Sequence, residues 1–299
     1  MRSERGVKMV DATIIVHTYN HAPYISLCFR SILEQATSRR LQIVWHDDAS
    51  TDDTVSLGER ALLHCPYEIV RIHQKTNRVS RRIPFLLDIF EQCRGEYIFL
   101  IDGDDCWALT DKIDLQIDAL ISHPDQKVCF TPAIEASGVD LTVQGVLGQH
   151  LDTLGVITLD RVIRGNGGFM PTPSLCFRRQ VFETAPGWLF GYICCGDYPL
   201  QVLASSPAGA VYLPELTCVS RTNIEGSWTT EVLRKPARRV TFEVEFLELL
   251  FNIHQSVPGH KDAIMSVALP VLSDLLAYSI NKNDFISIEK ALLTLKEIR

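Results

Sequence analysis

At 299 residues, 46% apolar and 22% charged, the chain exceeds the usual size of one domain and has the composition of a folded globular protein. Its formal net charge of −7 argues against a dedicated nucleic-acid binder. Nine cysteines, odd in number, scattered and without a CxxC spacing, predict reduced thiols in a cytosolic setting, not a disulfide framework.

In chain order, Met1-Arg2-Ser3-Glu4-Arg5 leads into no apolar signal core, and no stretch is expected to reach the ~20 apolar residues of a spanning helix. Ala12-Thr13-Ile14-Ile15-Val16-His17 is a β-branched run that predicts a strand, followed by the turn-prone Thr18-Tyr19-Asn20-His21. From Pro23, which suits a first helical turn, Ile25, Cys28, Phe29, Ile32, Leu33 and Ala36 recur at helical spacing. Leu41 to His46 predicts a second strand, running into Asp47-Asp48-Ala49-Ser50-Thr51-Asp52-Asp53-Thr54. Ser50 or Thr51 is expected to cap the next helix, with Asp52 and Asp53 at its positive end. That local role leaves Asp47 and Asp48, which precede the cap, unexplained. Glu68 to His73 reads as a third strand and Pro84 to Cys93 as a helix leading into a fourth. Four strand–helix alternations predict parallel strands with right-handed crossovers.

The fourth strand, Tyr97-Ile98-Phe99-Leu100-Ile101, is apolar without period-2 alternation, as in a sheet covered on both faces, and stops in Asp102-Gly103-Asp104-Asp105. Ligands of such sheets bind at the carboxyl ends of the strands. Three carboxylates within four residues raise one another's cost of ionisation unless a cation sits among them. With no Cys/His pair at zinc spacing nearby, hard oxygen ligands favour Mg²⁺ or Mn²⁺ shared with a substrate phosphate. An acidic turn that bends at Gly103 is the plainer alternative.

Thr18-Tyr19-Asn20, Asp47 to Thr54, Gly95 to Trp107, and Lys112 with Gln116 together resemble, in order and spacing, the inverting nucleotide-sugar glycosyltransferases of family 2 type, a group that includes bacterial polysaccharide enzymes. The resemblance implies an α/β GT-A fold: a Rossmann-like, mostly parallel sheet flanked by helices. It further implies that Thr18 and Asp48 hold the base and ribose, with Tyr19, Asn20, Asp102 and Gly103 also at the nucleotide. Asp102 and Asp104 would be the DxD pair, Asp104 nearest to Mn²⁺ or Mg²⁺ on the donor diphosphate. Trp107 would either cover the sugar or anchor its loop in the core.

In the second half, Pro171 to Arg179 looks like a strand feeding a helix, after a glycine-rich Gly165-Asn166-Gly167-Gly168 segment. Similar enzymes carry an acidic residue before a helix as catalytic base, and Asp197 in Gly196-Asp197-Tyr198-Pro199 is the candidate here; an N-cap role is the alternative. Where similar enzymes often have Tyr-Arg-x-His, this chain has Ser220-Arg221-Thr222-Asn223, then Gly226-Ser227-Trp228. Asn223 would then be a weaker metal ligand, and Arg221, Trp107 and Trp228 are candidates for acceptor or phosphate contact, with an ordinary salt bridge the alternative for Arg221. From Arg234 the chain turns helical. Arg234 to Arg239 is a short basic cluster: a solvated face or a site for lipid-linked phosphate. Ile264, Val267, Ala268, Val271, Leu272 and Leu275 predict one helical stripe, and Phe285, Ile288, Leu292 and Leu295 another.

The expected organisation is a GT-A domain over 1–230, with a donor half to about 125 and an acceptor half from about 126, and a C-terminal helical region over 231–299. The expected function is metal-dependent, inverting transfer of a sugar from a nucleotide-diphosphate donor to a saccharide or lipid-linked acceptor, in the cytoplasm or at the inner face of the membrane. A UDP-sugar is inferred only from its prevalence among similar enzymes. Peripheral membrane association and self-association through the C-terminal helices are further expectations. Two other classes compete. A phosphohydrolase of haloacid-dehalogenase type also begins with strand–Asp-x-Asp, but Asp105-Cys106 stands where those have Gly-Thr. A noncatalytic nucleotide-sugar-binding or assembly protein is suggested by Asn223 and the apolar tail.

Overall fold

The computed structural model describes residues 10–191, 196–224, 236–282 and 284–298. β1 (Ala12–Thr18), α1 (Ile25–Leu33), β2 (Leu41–Asp47), α2 (Thr54–Ala61), β3 (Glu68–His73) and β4 (Tyr97–Asp102) are the predicted alternation. The four strands pair in parallel in the order β3-β2-β1-β4. Their apolar runs lack alternation because both faces are covered. Ile14, Val16, Ile43, Trp45, Phe99 and Ile101 enter one apolar cluster, while the intervening Ile15, Val44 and Ile98 enter another on the opposite face. The β3–β4 connection departs from expectation: instead of one helix from Pro84 to Cys93 it holds two short ones, α3 (Arg78–Arg81) and α4 (Leu86–Phe90).

Beyond β4 come β5 (Cys106–Trp107), α5 (Lys112–Ser122), β6 (Val128–Phe130), β7 (Ala133–Ser137), β8 (Thr142–Leu147), β9 (Gly155–Ile157), α6 (Leu159–Gly165), β10 (Cys176–Arg178), α7 (Gln180–Glu183), α8 (Asp197–Ser205), β11 (Ala210–Tyr212) and β12 (Cys218–Arg221). The main sheet continues from β4 through β10, β6, β11 and β9, with β10 antiparallel to both of its neighbours. A second sheet runs β5-β12-β7-β8.

The C-terminal helices α9 (Pro236–Ser256), α10 (Lys261–Lys282) and α11 (Phe285–Ile298) pack on one another, with α9 also against α8 and α10 against α6. Phe246, Leu250 and Ile264 belong to the same apolar cluster as Val128, Phe177 and Tyr198, so these helices share a core with the sheet. The boundary expected at 230/231 lies outside the described residues. Two expectations need correction. The expected stripe on α11 is covered only in part: Leu295 is buried and Ile288 half-buried, whereas Phe285 and Leu292 are exposed and Ala291 and Ile298 complete the buried face against α9 and α10. And α10 contains a stretch, Lys261–Ile280, long and apolar enough to cross a membrane, although 33% of it is buried within the protein.

The order β3-β2-β1-β4 positions the site. From β1 the chain steps outward to β2 and β3, then returns to the other side of β1 as β4. The connections leaving β1 and β4 therefore diverge, and a crevice opens at their carboxyl ends. His17 and Asp102 are paired in register at that crevice.

Candidate active site

β4 ends at Asp102 and turns back through Gly103-Asp104-Asp105 into β5. The turn is stitched to β1: Gly103 N donates to His17 O at 2.8 Å, and Asp105 N to Asp102 O at 3.0 Å. A Cβ on Gly103 would stand 2.5 Å from Thr18 Cγ2 and 2.9 Å from His21 Nδ1, so close approach of the β1–α1 loop demands glycine. One carboxylate oxygen from each of Asp102, Asp104 and Asp105 lies within 4.8 Å of the others. Burial, then Asp104 and Asp197, push the Asp102 carboxyl up to about 8, and burial raises Asp105 strongly. A divalent ion would relieve that penalty, and the all-oxygen donor set fits Mg²⁺ or Mn²⁺. Asp105 also faces the protein: its Oδ1 accepts from Arg221 N at 2.7 Å.

Arg221, 7% exposed, is engaged with this turn. Its guanidinium donates to Asp104 O and, at 3.1 Å, to Gly138 O, and stacks 4.9 Å from the Tyr24 ring centroid. It thus fixes the acidic turn through the backbone. Trp107 takes the core reading, not the sugar-covering one: it is 5% exposed, donates Nε1–H to Pro173 O at 3.2 Å and packs edge-on to Phe99. Beneath it Lys112 is fully buried, bonded to Gln116 and Thr217 and near the Phe99 and Trp107 rings. Lys112 and Gln116 therefore shape the floor of the fold. Asn223 stands exposed two residues past Arg221, in the left-handed region at φ 59°. Trp228 lies outside the described residues.

On the expected nucleotide side the side chains of Thr18 and Asp48 are both fully buried. Thr18 Oγ1 donates to Asp47 Oδ2 at 2.8 Å and accepts from Trp45 Nε1 at 3.0 Å. Asp48 accepts from Arg78 N at 2.6 Å and Val79 N at 3.0 Å, taking free N–H groups at the start of α3. In the structure both side chains tie neighbouring loops together. Tyr19 and Asn20 are exposed at the rim. Asn20, at φ 56°, donates its N–H to Ser50 Oγ and accepts from Thr51 N, tying the β1–α1 loop to the β2–α2 loop. Ser50 and Thr51 accordingly do not cap α2; Asp52 Oδ1 accepts from Thr54 N at 3.0 Å instead.

Below this rim His17 and His46 lie side by side, Nδ1 to Nδ1 at 2.8 Å, with Phe85 stacked on both. Burial holds His17 down to about 4 and His46 to about 2, so both rings are neutral. Gln74 Nε2 lies 3.2 Å from His46 Nε2, which makes that nitrogen an acceptor and leaves the proton on His46 Nδ1, donated to His17.

Asp197 begins α8. Its Oδ2 accepts from Thr172 Oγ1 at 3.1 Å and its Oδ1 from Tyr198 N at 2.9 Å. Burial raises its carboxyl while these donors oppose the rise. Its charge helps raise the Asp102 carboxyl, so the two groups lie within electrostatic reach of each other. Thr172 carried no expectation from the sequence, since its hydroxyl meets Asp197 only when the turn Thr172–Ser174 packs beside β4. His21, in the turn after Asn20, carries no sequence signal beyond that of a loop residue; it lies 3.8 Å from Asp104.

A largely parallel sheet with carboxylates at its switch point, extended by antiparallel β10 and backed by C-terminal helices, defines the GT-A class of α/β protein. The chain belongs to glycosyl transferase family 2, whose family profile matches residues 13–185, more than half of the sequence. An uncharacterized protein of Mycobacterium tuberculosis (strain ATCC 25618 / H37Rv) is 29% identical over 220 residues, 72% of this chain and 60% of that protein. The chain thus spans about 60% of the length of that curated relative. The putative glycosyltransferase EpsE of Bacillus subtilis (strain 168) is 29% identical over 119 residues, 40% of this chain and 41% of EpsE. Among solved structures, Staphylococcus aureus TarS 1-349 in complex with UDP-GlcNAc superposes with a TM-score of 0.70 at 15% identity, covering 97% of this chain and 82% of that one. The mannosyltransferase PcManGT from Pyrobaculum calidifontis, in complex with GDP-Man and Mn²⁺, gives 0.59 at 18% identity over 96% and 74%. At these identities the likeness is one of fold.

Proposed function

We propose that this protein transfers a sugar from a nucleotide-diphosphate donor to an acceptor hydroxyl with inversion at the anomeric carbon. The observation that carries the reading is the cluster of Asp102, Asp104 and Asp105 at the switch point of a family 2 chain, with Asp197 within electrostatic reach of it. Inversion in one displacement needs a carboxylate on the acceptor side, able to take the hydroxyl proton as oxygen attacks, and a separate group on the leaving diphosphate. Asp197, with its carboxyl raised by burial and its two oxygens oriented by Thr172 and Tyr198 N, suits the first role. Asp102 and Asp104 would hold Mn²⁺ or Mg²⁺, which when bound supplies positive charge to the leaving diphosphate. Tyr19 and Asn20, exposed at the rim, would flank the nucleotide, with Thr18 and Asp48 beside its base and ribose. Asn223 would approach the same diphosphate from the end of β12.

The TarS structure with UDP-GlcNAc supports a UDP-sugar as the first donor to test, and the PcManGT structure supports Mn²⁺ as the first metal. A saccharide or lipid-linked acceptor in surface glycoconjugate synthesis, used at the cytoplasmic membrane face, completes the proposal; the exposed Leu269, Ile280, Phe285 and Ile286 on the C-terminal helices favour contact with an apolar partner. The test is a panel of nucleotide sugars ranked by thermal shift with Mn²⁺, followed by turnover of the best donor with and without acceptor sugars. Acceptor-dependent release of nucleoside diphosphate with an inverted product linkage is expected. Release of inorganic phosphate would point to a hydrolase, and donor binding without turnover to a noncatalytic binder.

A further inference from the structure

His21 follows Asn20 directly on the β1–α1 loop. Its carbonyl accepts from Tyr24 N and Ile25 N, both at 2.9 Å, which anchors the residue to the start of α1 and sets its ring against Gly103. Within that packing Nδ1 is buried and has no hydrogen-bond partner among the described residues. Nε2 faces Asp104 Oδ2 at 3.8 Å, with the two side chains only 15% and 13% exposed. Simple packing is a poor reason for an imidazole here, because an apolar ring would fill the space without leaving a buried polar atom unsatisfied. A direct hydrogen bond is a poor reason too, since 3.8 Å exceeds its range. The separation does suit two ligands of one ion: atoms each about 2.1 Å from a metal stand about 3 Å apart at a right angle and about 4.2 Å apart in line.

We propose that His21 Nε2 binds the donor-site metal together with Asp104, and that this imidazole selects Mn²⁺ over Mg²⁺. The inference rests on the reading of the acidic turn as the metal site of the donor diphosphate. Carboxylates alone distinguish the two ions weakly, whereas an imidazole nitrogen favours the transition metal over Mg²⁺, which prefers oxygen and keeps its waters. The demand for glycine at 103 follows from the same arrangement: any side chain there would push the ring away from Asp104.

The direct test is electron spin-echo spectroscopy of the wild-type protein loaded with Mn²⁺, where coupling to a coordinated ¹⁴N is expected; a spectrum without it overturns the proposal. Titration with Mn²⁺ alone, read from the signal of the free ion, and competition by Mg²⁺ give the second readout. His21→Ala should weaken Mn²⁺ at least tenfold and Mg²⁺ less than threefold. Equal losses for both ions, or none for either, would overturn the selection role. His21→Gln, closer in size and polarity, serves if the alanine variant does not fold, with the same expected outcome. Asp104→Ala separates the two levels: if it leaves Mn²⁺ binding intact, the acidic turn is not the metal site at all. If it abolishes binding while the His21 variants retain it, only the His21 proposal fails.

Discussion

Thr172 Oγ1 donates a hydrogen bond to Asp197 Oδ2 at 3.1 Å, joining a short turn beside β4 to the first residue of α8. The bond favours the ionised carboxylate, and burial opposes it. Replacing Asp197 by Asn should lower acceptor-dependent turnover by about 10²–10⁴-fold with donor affinity nearly unchanged. Thr172→Val should cost about tenfold, the worth of one hydrogen bond to a charged group. Because activity needs Asp197 ionised and the lost bond raises its pKa, the acid limb of the kcat/KM profile should move to higher pH. Thr172→Ser should restore it.

Arg221 holds the acidic turn by its backbone, so its removal should act on stability before chemistry. Arg221→Met should destabilise the protein by about 1–3 kcal/mol in urea denaturation, because the Asp104 and Gly138 carbonyls lose a buried charged donor. Mn²⁺ affinity should fall as well, although Arg221 is no ligand, since the carboxylates lose their fixed spacing.

Gly103→Ala should cost about 1–3 kcal/mol, as expected for forcing a methyl into a packed site 2.5 Å from Thr18 Cγ2. Thermal unfolding with and without Mn²⁺ checks it. The metal-induced stabilisation should shrink along with the melting temperature.

The His17–His46 pair links folding to pH. Both imidazoles titrate near 6.5 when unfolded but are held to about 4 and about 2 in the fold. The unfolded chain therefore binds more protons below 6.5, and stability is lost as pH falls from 6.5 toward 4, by up to about 1.4 kcal/mol per pH unit for each imidazole. Asp102, held up to about 8, titrates in the opposite sense, stabilising the fold less as pH rises from 4 to 8. The contribution of the histidines is therefore read as the difference in slope between wild type and His46→Gln, measured by urea midpoints from pH 7.5 to 5. Identical slopes would remove the pair from the account.

Phe246 on α9 stacks 5.6 Å from Tyr198, the neighbour of Asp197 on α8. Phe246→Ala should cost about 3–5 kcal/mol. Limited proteolysis of the wild type should then show the C-terminal helices protected along with the sheet, since they share its core.

The first half of the fold was legible from its amino acids because β1, β2 and β4 are covered on both faces, which forces uninterrupted apolar runs such as Tyr97 to Ile101. The abrupt change to carboxylates at Asp102 marks where cover ends. The second sheet was not legible: β5 has two residues, and β8 is largely exposed and carries little apolar pattern. The helical stripe Phe285-Ile288-Leu292-Leu295 marks the helix but only part of its buried face, for a related reason. Periodicity shows that a helix has an apolar face, but the neighbours decide which face is covered, and α9 and α10 cover Ala291, Leu295 and Ile298.

What the residues determined by themselves was the family, the parallel core and the acidic turn at its edge, because strand burial and clustered like charge leave marks in local order. Tertiary structure alone decided which polar groups face the cleft. Thr18 bonds the Asp47 and Trp45 side chains, and Asp48 the first N–H groups of α3. His21 and Thr172 meet Asp104 and Asp197 across 83 and 25 residues of chain. Such pairings depend on where loops cross after the sheet has formed, and hydrogen-bond geometry over a few ångströms has no periodicity that a sequence can display.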